Sequence, residues 1–455
     1  MTGSNHSGRE MKNQKPNSNP SVNSARALRA LSHKNYRLFF SGQSISLMGT
    51  WMQRIAMSWL VYRLTNSAFL LGVIGFVGQI PIFLLTPLAG VFADRWNRHR
   101  ILLITQTLAM IQALGLALLV LTGTIAVWHI LSLSIFLGLV DAFDMPARQS
   151  FVVEMVENRG DLGNAIALNS AMVHSARLVG PSVAGILIAA IGEGMCFLLN
   201  GVSYLAVIAS LFAMKIKSIK PEARKTHLLR RLKEGYSYAF EFMPIRSVLL
   251  LTALVSTMGM SYTVLMPIFA GDILHGDSHT LGFLMAASGV GALIGVIYLA
   301  FRRSILGLEK WNVLAAGIFG AGLIAFSQSR FFWLSVCFML IAGFGLMVQH
   351  TASNTVLQMV VDEDKRGRVM SLYGIAFRGM MPFGSLLAGS LASKIGVSNM
   401  VWIGGASCIL GSLLSARKLS LWEKMVRPIY LRHGVISETT GIQPAEESGR
   451  PSGDR

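Results

Sequence analysis

Twelve times between Tyr36 and Ala416 the chain runs through an apolar stretch long enough to cross the roughly 30 Å hydrocarbon core of a bilayer. No soluble fold needs so many, and a helix is the element that satisfies its own backbone polar groups in a single crossing. The expected spans are 36–62, 69–93, 101–121, 127–145, 164–190 and 195–214, then 247–273, 280–301, 311–327, 331–351, 368–393 and 399–416. Composition agrees, with 53% hydrophobic and 14% charged residues, against about 25% charged in soluble domains.

A net charge of +18 would suit nucleic acid if it lay on one soluble face, but the Lys and Arg residues fall mostly between spans, so no nucleic-acid partner is expected. If the N-terminus is cytoplasmic, the outer loops hold only Arg63, Arg330 and Lys394, while nine cations between Lys215 and Arg246 stay inside. The positive-inside rule thus favours a multi-pass protein with both termini cytoplasmic, in a bacterial inner (plasma) membrane. The first 35 residues are polar and lack a signal-peptide core. Cys196, Cys337 and Cys408 each stand alone in an apolar run, which predicts reduced, structural thiols and no metal site.

The basic stretch divides the chain into an N-terminal tail expected to be disordered (1–35), a six-helix bundle (36–214), a linker (215–246), a second bundle (247–416) and a C-terminal tail (417–455), polar after Leu421 and expected to be disordered from Glu446. In the linker, Leu228, Leu229, Leu232, Tyr236 and Phe240 share a helical face, so it is either an amphipathic helix on the inner surface or a solvated connection. The halves echo one another. Gly138–Met155 matches Gly343–Val360 at an offset of about 205, pairing Ala147 with Ala352. After a one-residue slip Leu168, Gly180, Ala184 and Gly185 match Leu372, Gly384, Ala388 and Gly389. Duplicated halves are the architecture of many secondary transporters, with a site between them near mid-membrane.

Between the second and third spans lies Gly90-Val-Phe-Ala-Asp94-Arg95-Trp-Asn97-Arg98-His-Arg100. Gly90 and Asp94 share a helix face one turn apart, and an Asp at its own helix's C-terminus needs an answering charge or helix N-terminus. This loop resembles that of the major facilitator superfamily, G-x-x-x-D-[RK]-x-G-[RK]-[RK], with Asn97 at a glycine position, where Asn tolerates a left-handed turn. The segments Asp141–Ser150, Asn164–Asn169, Arg177–Pro181 and Leu31–Phe40 are similar to the branch that includes enterobactin exporters and macrolide efflux proteins, the transmembrane secretion effector type. The resemblance spans most of Ala30 to Arg417 and implies an all-α membrane protein of the major facilitator fold, with twelve transmembrane helices in two pseudo-symmetric six-helix halves. It also implies that Asp94, supported by Arg95, Arg98 and Arg100, closes the inner side against the start of span eleven. The arginine motif of span four in proton-coupled drug exporters is missing.

Charged groups at mid-bilayer are costly and mark pathways or partners. Arg177 and Arg378 fall mid-span on equivalent helices, Asp141 about two turns above the cytoplasmic end of span four, and Arg54 in the outer third of span one. One reading has Arg177 and Arg378 bind an anionic or acceptor-rich substrate, with Asp141 as counter-ion or proton carrier; the other has Arg177 permanently paired with Asp141. His174, Asn169 and Gln349 are further cavity candidates, and Gly180-Pro181 is expected to bend its helix and allow close packing. Asp144 is expected at the interface, in a cap or loop contact.

Together these features predict a secondary active exporter of a small organic molecule (a siderophore, drug or amphiphile) working by alternating access as a monomer among membrane lipids. No phosphate-binding loop is present, so no cofactor is expected and an ion gradient, protons in antiport, supplies the energy. An importer or lysolipid flippase would share the fold. A membrane-embedded lipid-modifying enzyme would need clustered catalytic groups, whereas His33, His99, His129 and His174 are scattered.

Overall fold

The computed structural model describes residues 29–156, 158–214, 236–302 and 306–432, with the side chains at 87, 90, 91, 93–95, 159, 174 and 178 left undescribed. Among the described residues every regular element is helical. The rods are α1 (Lys34–Thr65), α2 (Ala68–Arg95), α3 (Arg98–Leu121), α4 (Val127–Met155), α5 (Leu162–Ala213), α6 (Met243–Ile273), α7 (Ser278–Phe301), α8 (Leu308–Gln328), α9 (Phe332–Val360), α10 (Glu363–Ile395), α11 (Val397–Ala416) and α12 (Leu419–Arg432). Among the described residues ten stretches are long and apolar enough to cross a membrane, all of them within α2 to α11.

One of the ten, α5, is 52 residues long and is really a hairpin. Helical dihedrals continue through Pro181 and break at Gly192, whose φ of 81° only glycine adopts without strain. The contacts on either side fix the reversal. Going up the first arm, Ala165 accepts from the Tyr36 hydroxyl and Gly180 abuts Trp51. Coming down the second, Asn200 donates to Gln53 and Gly42 meets Ser210. The first arm therefore runs parallel to α1 and the second antiparallel, with Arg63 clamped to Glu193 at 2.8 Å beside the turn. The 32-residue α1 is more polar than its neighbours but long enough to cross beside them.

The bundle thus has a near end, where α1 enters and α11 leaves, and a far end carrying the turns at Asn66, Gly192 and Gly396. At the far end the halves meet through paired glycines. A Cβ added at Gly72 (α2) would stand 2.8 Å from the Gly389 Cα (α10), and one at Gly185 (α5) would stand 2.8 Å from the Gly282 Cα (α7). Gly185 and Gly389 are the residues matched by the sequence echo, so the duplication reappears as two equivalent crossings. The echoed Gly180 and Gly384 also repeat one role, abutting Trp51 of α1 and Thr257 of α6. The Tyr62 hydroxyl adds a bond to Asp272 across the same end, at 2.5 Å.

Each half is held internally by a buried amide network. In the first, Asn200 donates to Gln53 and Gln53 to Gln112, at 2.7 and 2.9 Å. In the second, the Gln349 amide donates to Ser353 and Asn312 at 2.9 and 3.2 Å, and Ser353 donates to Asn312 at 2.7 Å. Asn312→Leu strands the Gln349 amide and the Ser353 hydroxyl, and we expect it to cost about 1 to 2 kcal/mol in reversible unfolding from mixed micelles. An unchanged unfolding midpoint would show that the network adds no stability.

Several sequence expectations are revised. Helix α4 continues ten residues past its expected end, through Pro146 to Met155, because Phe151, Val152 and Met155 bury against α1 and α3 at the near end. Asp144 therefore sits inside the helix, 4% exposed, and accepts from Thr105 at 2.9 Å and Gln106 at 2.7 Å while pairing with Arg148. Within the C-terminal tail expected from residue 417, α12 buries Trp422, Val426 and Tyr430, one turn apart, against the second half. Residues 215–235 of the linker and 433–455 of the tail lie outside the described residues, while 236–241 are helical, with Tyr236 stacked on Phe240.

Candidate functional site

The site forms where α1, α4 and α5 of one half face α6 and α10 of the other. Gly180 lets α5 close onto the Trp51 side chain of α1. Arg177 lies one turn before Gly180 and Arg54 one turn after Trp51, so both guanidinium groups converge on one indole, 5.0 Å away for Arg54 and 5.6 Å for Arg177. Arg54 also reaches Asp141 of α4, Nη2 to Oδ2 3.6 Å, with the two side chains 46% and 27% exposed. The extra length of α4 puts Asp141 near the middle of its helix, and its contact with Arg54 puts both at mid-depth. The cation in contact with Asp141 is Arg54; Arg177 instead occupies the indole face.

From the opposite half comes Arg378. It lies in a π-helical turn, Ile375–Gly379, a local irregularity that recurs at functional sites because it re-aims the side chains it carries. Its Nη1 stands 3.0 Å from the Met145 sulfur of α4, across the gap between halves, and its charge is within electrostatic reach of Arg54, Arg177 and Arg148. Tyr262 of α6, bonded to Ser288 at 3.0 Å, is within reach of Arg177. On the far-end side of Arg378, Phe383 packs edge-on to Phe83 and Phe76, joining α10 to α2. Three arginines from three helices thus surround one region, and among the described residues a single carboxylate, Asp141, is in direct contact with them.

The other candidates separate from this region. Gln349 is 1% exposed and engaged in the network between α6, α8 and α9. Asn169 is half-buried in the first arm of α5, nearer its start. The side chain of His174 is undescribed, as are the side-chain surroundings at positions 90, 94 and 95 of α2. Of the loop motif, Asn97 is not left-handed: its φ is −64°, and its side chain caps α3 by accepting from the Arg100 amide at 3.2 Å. Arg98 clamps Glu154 at the end of α4, Nη1 to Oε1 2.6 Å, and Arg100 is exposed. Pro181 is buried within continuous helix. Sequence reasoning missed Trp51, Tyr262 and Met145. Trp51 carried a signal in its one-turn spacing from Arg54.

Two helical bundles that meet at glycine seams around a charged central region define a membrane carrier of the major facilitator type. Residues 25–428 match the signature described as transmembrane secretion effector, and the chain belongs to that family. It is a transporter and not an enzyme. It is 26% identical over 375 residues to the staphyloferrin A transporter of Staphylococcus aureus, covering 82% of this chain and 93% of that one. Over 355 residues it is 24% identical to the multidrug efflux pump Tap of Mycolicibacterium fortuitum, covering 75% and 85%. To macrolide efflux protein A of Streptococcus pyogenes it is 23% identical over 390 residues, covering 83% and 95%. Among solved structures, the nucleoside transporter NupG superposes with a TM-score of 0.69 at 11% identity, covering 84% of this chain and 99% of that one. A bacterial homologue of the iron transporter ferroportin, in an inward-facing state, gives 0.63 at 18% identity, covering 84% and 98%.

Proposed function

We propose that the chain crosses the bacterial plasma membrane twelve times, with both termini and the near end cytoplasmic, and exports a small anionic organic molecule by alternating access as a monomer driven by an ion gradient. The observation that carries the anionic substrate is the convergence of Arg54, Arg177 and Arg378 from both halves on one region with one contacting carboxylate among the described residues. Guanidinium groups grip carboxylates and related anions with paired, charge-assisted bonds. The relatives handle a siderophore, drugs and macrolides by name, which supports export of small molecules and makes an acidic siderophore-like compound a fitting substrate. Contact between the halves at the far end is the arrangement of a carrier closed outward, and the pull of Lys and Arg to the near end supports the orientation.

The test is comparative analysis of exported metabolites and drug susceptibility in deletion and overexpression strains. Intracellular build-up of an acidic metabolite on deletion is expected; depletion inside the cell would reverse the direction to import, and no change across a broad panel would sink the exporter. The loop motif's resemblance to the family supports an inner gate in which Asp94 works with the start of α10. Asp94→Ala is expected to lower transport about tenfold or more at normal expression, as one lost charge-assisted interaction allows. Wild-type transport in that variant would remove the gate.

A further inference from the structure

The near end of the second half holds a pocket away from the arginine cluster. It lies where the starts of α6 and α8 and the end of α11 meet α12, and its polar lining is Ser247, Asn312, Ser415, Lys418 and Trp422. Its enclosed part is about 10 Å³, the room of one oxygen atom, so a larger group would sit in the mouth with one atom inside.

The polar lining is rich in hydrogen-bond donors. Lys418 is exposed and has no carboxylate partner among the described residues. Trp422 is 4% exposed, and its indole N–H is buried without a hydrogen-bond partner among the described residues. An indole nitrogen only donates, and leaving it unpaired is costly, so it calls for an acceptor. Asn312 gives its amide oxygen to Gln349 and Ser353, at 3.2 and 2.7 Å, and its NH₂ is the group left to offer.

Charge and depth narrow the acceptor. Arg417, Lys418 and Lys424 are exposed at this end, whereas Glu423 is bonded to Lys310 at 2.8 Å and Glu309 is held by backbone N–H groups at the start of α8. The balance favours an anion. Ser247 and Asn312 lie one turn into α6 and α8, and Ser415 one residue before the end of α11, which is the level of lipid headgroups. Farther into the membrane, Leu314 of α8 and Leu410, Leu413 and Leu414 of α11 are more than half exposed, an apolar surface for acyl chains.

We infer that this pocket binds the phosphate of an anionic lipid, with one phosphate oxygen accepting from the Trp422 indole and the rest of the group seated against Lys418. Basic pockets between spans at the membrane surface suit such headgroups. The bound lipid ties the junction of α11 and α12 to α6 and α8. A zwitterionic lipid brings its own ammonium up to Arg417, Lys418 and Lys424 and is disfavoured. Free phosphate offers the same oxygens without the chains that the leucines cover.

The test is native mass spectrometry of the full-length transporter in detergent, titrated with dioleoyl phosphatidylglycerol, dioleoyl phosphatidylcholine or inorganic phosphate. The first phosphatidylglycerol should bind about tenfold more tightly than the first phosphatidylcholine, as one charge-assisted contact allows, and millimolar inorganic phosphate should not displace it. Lys418→Gln should remove that preference. Trp422→Phe, which keeps a ring but loses the N–H, should weaken phosphatidylglycerol about threefold to tenfold. Lys424→Gln, outside the pocket, should change nothing. Equal affinity of the wild type for the two lipids overturns the inference whether or not Trp422→Phe folds. Equal losses in Lys418→Gln and Lys424→Gln would reduce the site to diffuse surface charge and overturn it too. Displacement of the lipid by inorganic phosphate would overturn the lipid as the ligand.

Discussion

Arg177→Gln and Arg378→Gln should each weaken substrate affinity about tenfold to a hundredfold while leaving the protein folded and in the membrane. The magnitude follows from one charge-assisted hydrogen bond, about 1.5 to 3 kcal/mol, at 1.4 kcal/mol per decade. The double variant should lose more than either single one if both guanidinium groups grip the same molecule, since each half supplies one end of the clamp. The check is concentration dependence of transport into inverted vesicles with the metabolite identified from the deletion strain. Normal affinity in both single variants would remove the arginines from the substrate site and reduce Arg177 to a packing partner of Trp51.

The second large effect is expected at the far-end seam. Gly389→Leu places a branched side chain where Gly72 and Ala68 leave no room for even a Cβ, so the two halves are held apart at that end. Transport should fall at least tenfold, because the outward-closed state becomes costly by more than the 1.4 kcal/mol that a decade represents. A pair of cysteines replacing Tyr62 and Asp272 reports the state directly, once the exposed native Cys337 is removed. A bifunctional thiol reagent should join the pair in the parent and fail in the Gly389→Leu background. Full transport with efficient joining would mean that the backbone contact is incidental.

Much of this architecture was legible in the sequence because bilayer physics leaves few choices: apolar length gives the rods. The echo of Gly180 and Gly185 in Gly384 and Gly389 pointed to equivalent packing positions, and these glycines do occupy equivalent crossings. Local partners were less legible. Arg177 and Asp141 occupy neighbouring helices, but the rotation of α5 about its axis, set by Gly180 against Trp51, sends Arg177 to the indole and leaves Asp141 to Arg54. Gln349 looked like a cavity residue because a polar side chain in a span has two equally good reasons to exist, and spacing does not say which face meets Asn312. Helix α12 was hidden by its polar average, although Trp422, Val426 and Tyr430 repeat at four residues.

That last helix has a practical consequence. Because α12 is pinned to the second half by three buried side chains, it is a rigid extension of that half rather than a free cytoplasmic tether. A spin label or fluorophore on its exposed face, read against one at the start of α3, would act as a pointer fixed to one bundle. It would register every rocking cycle as a change in distance without a label inside the membrane.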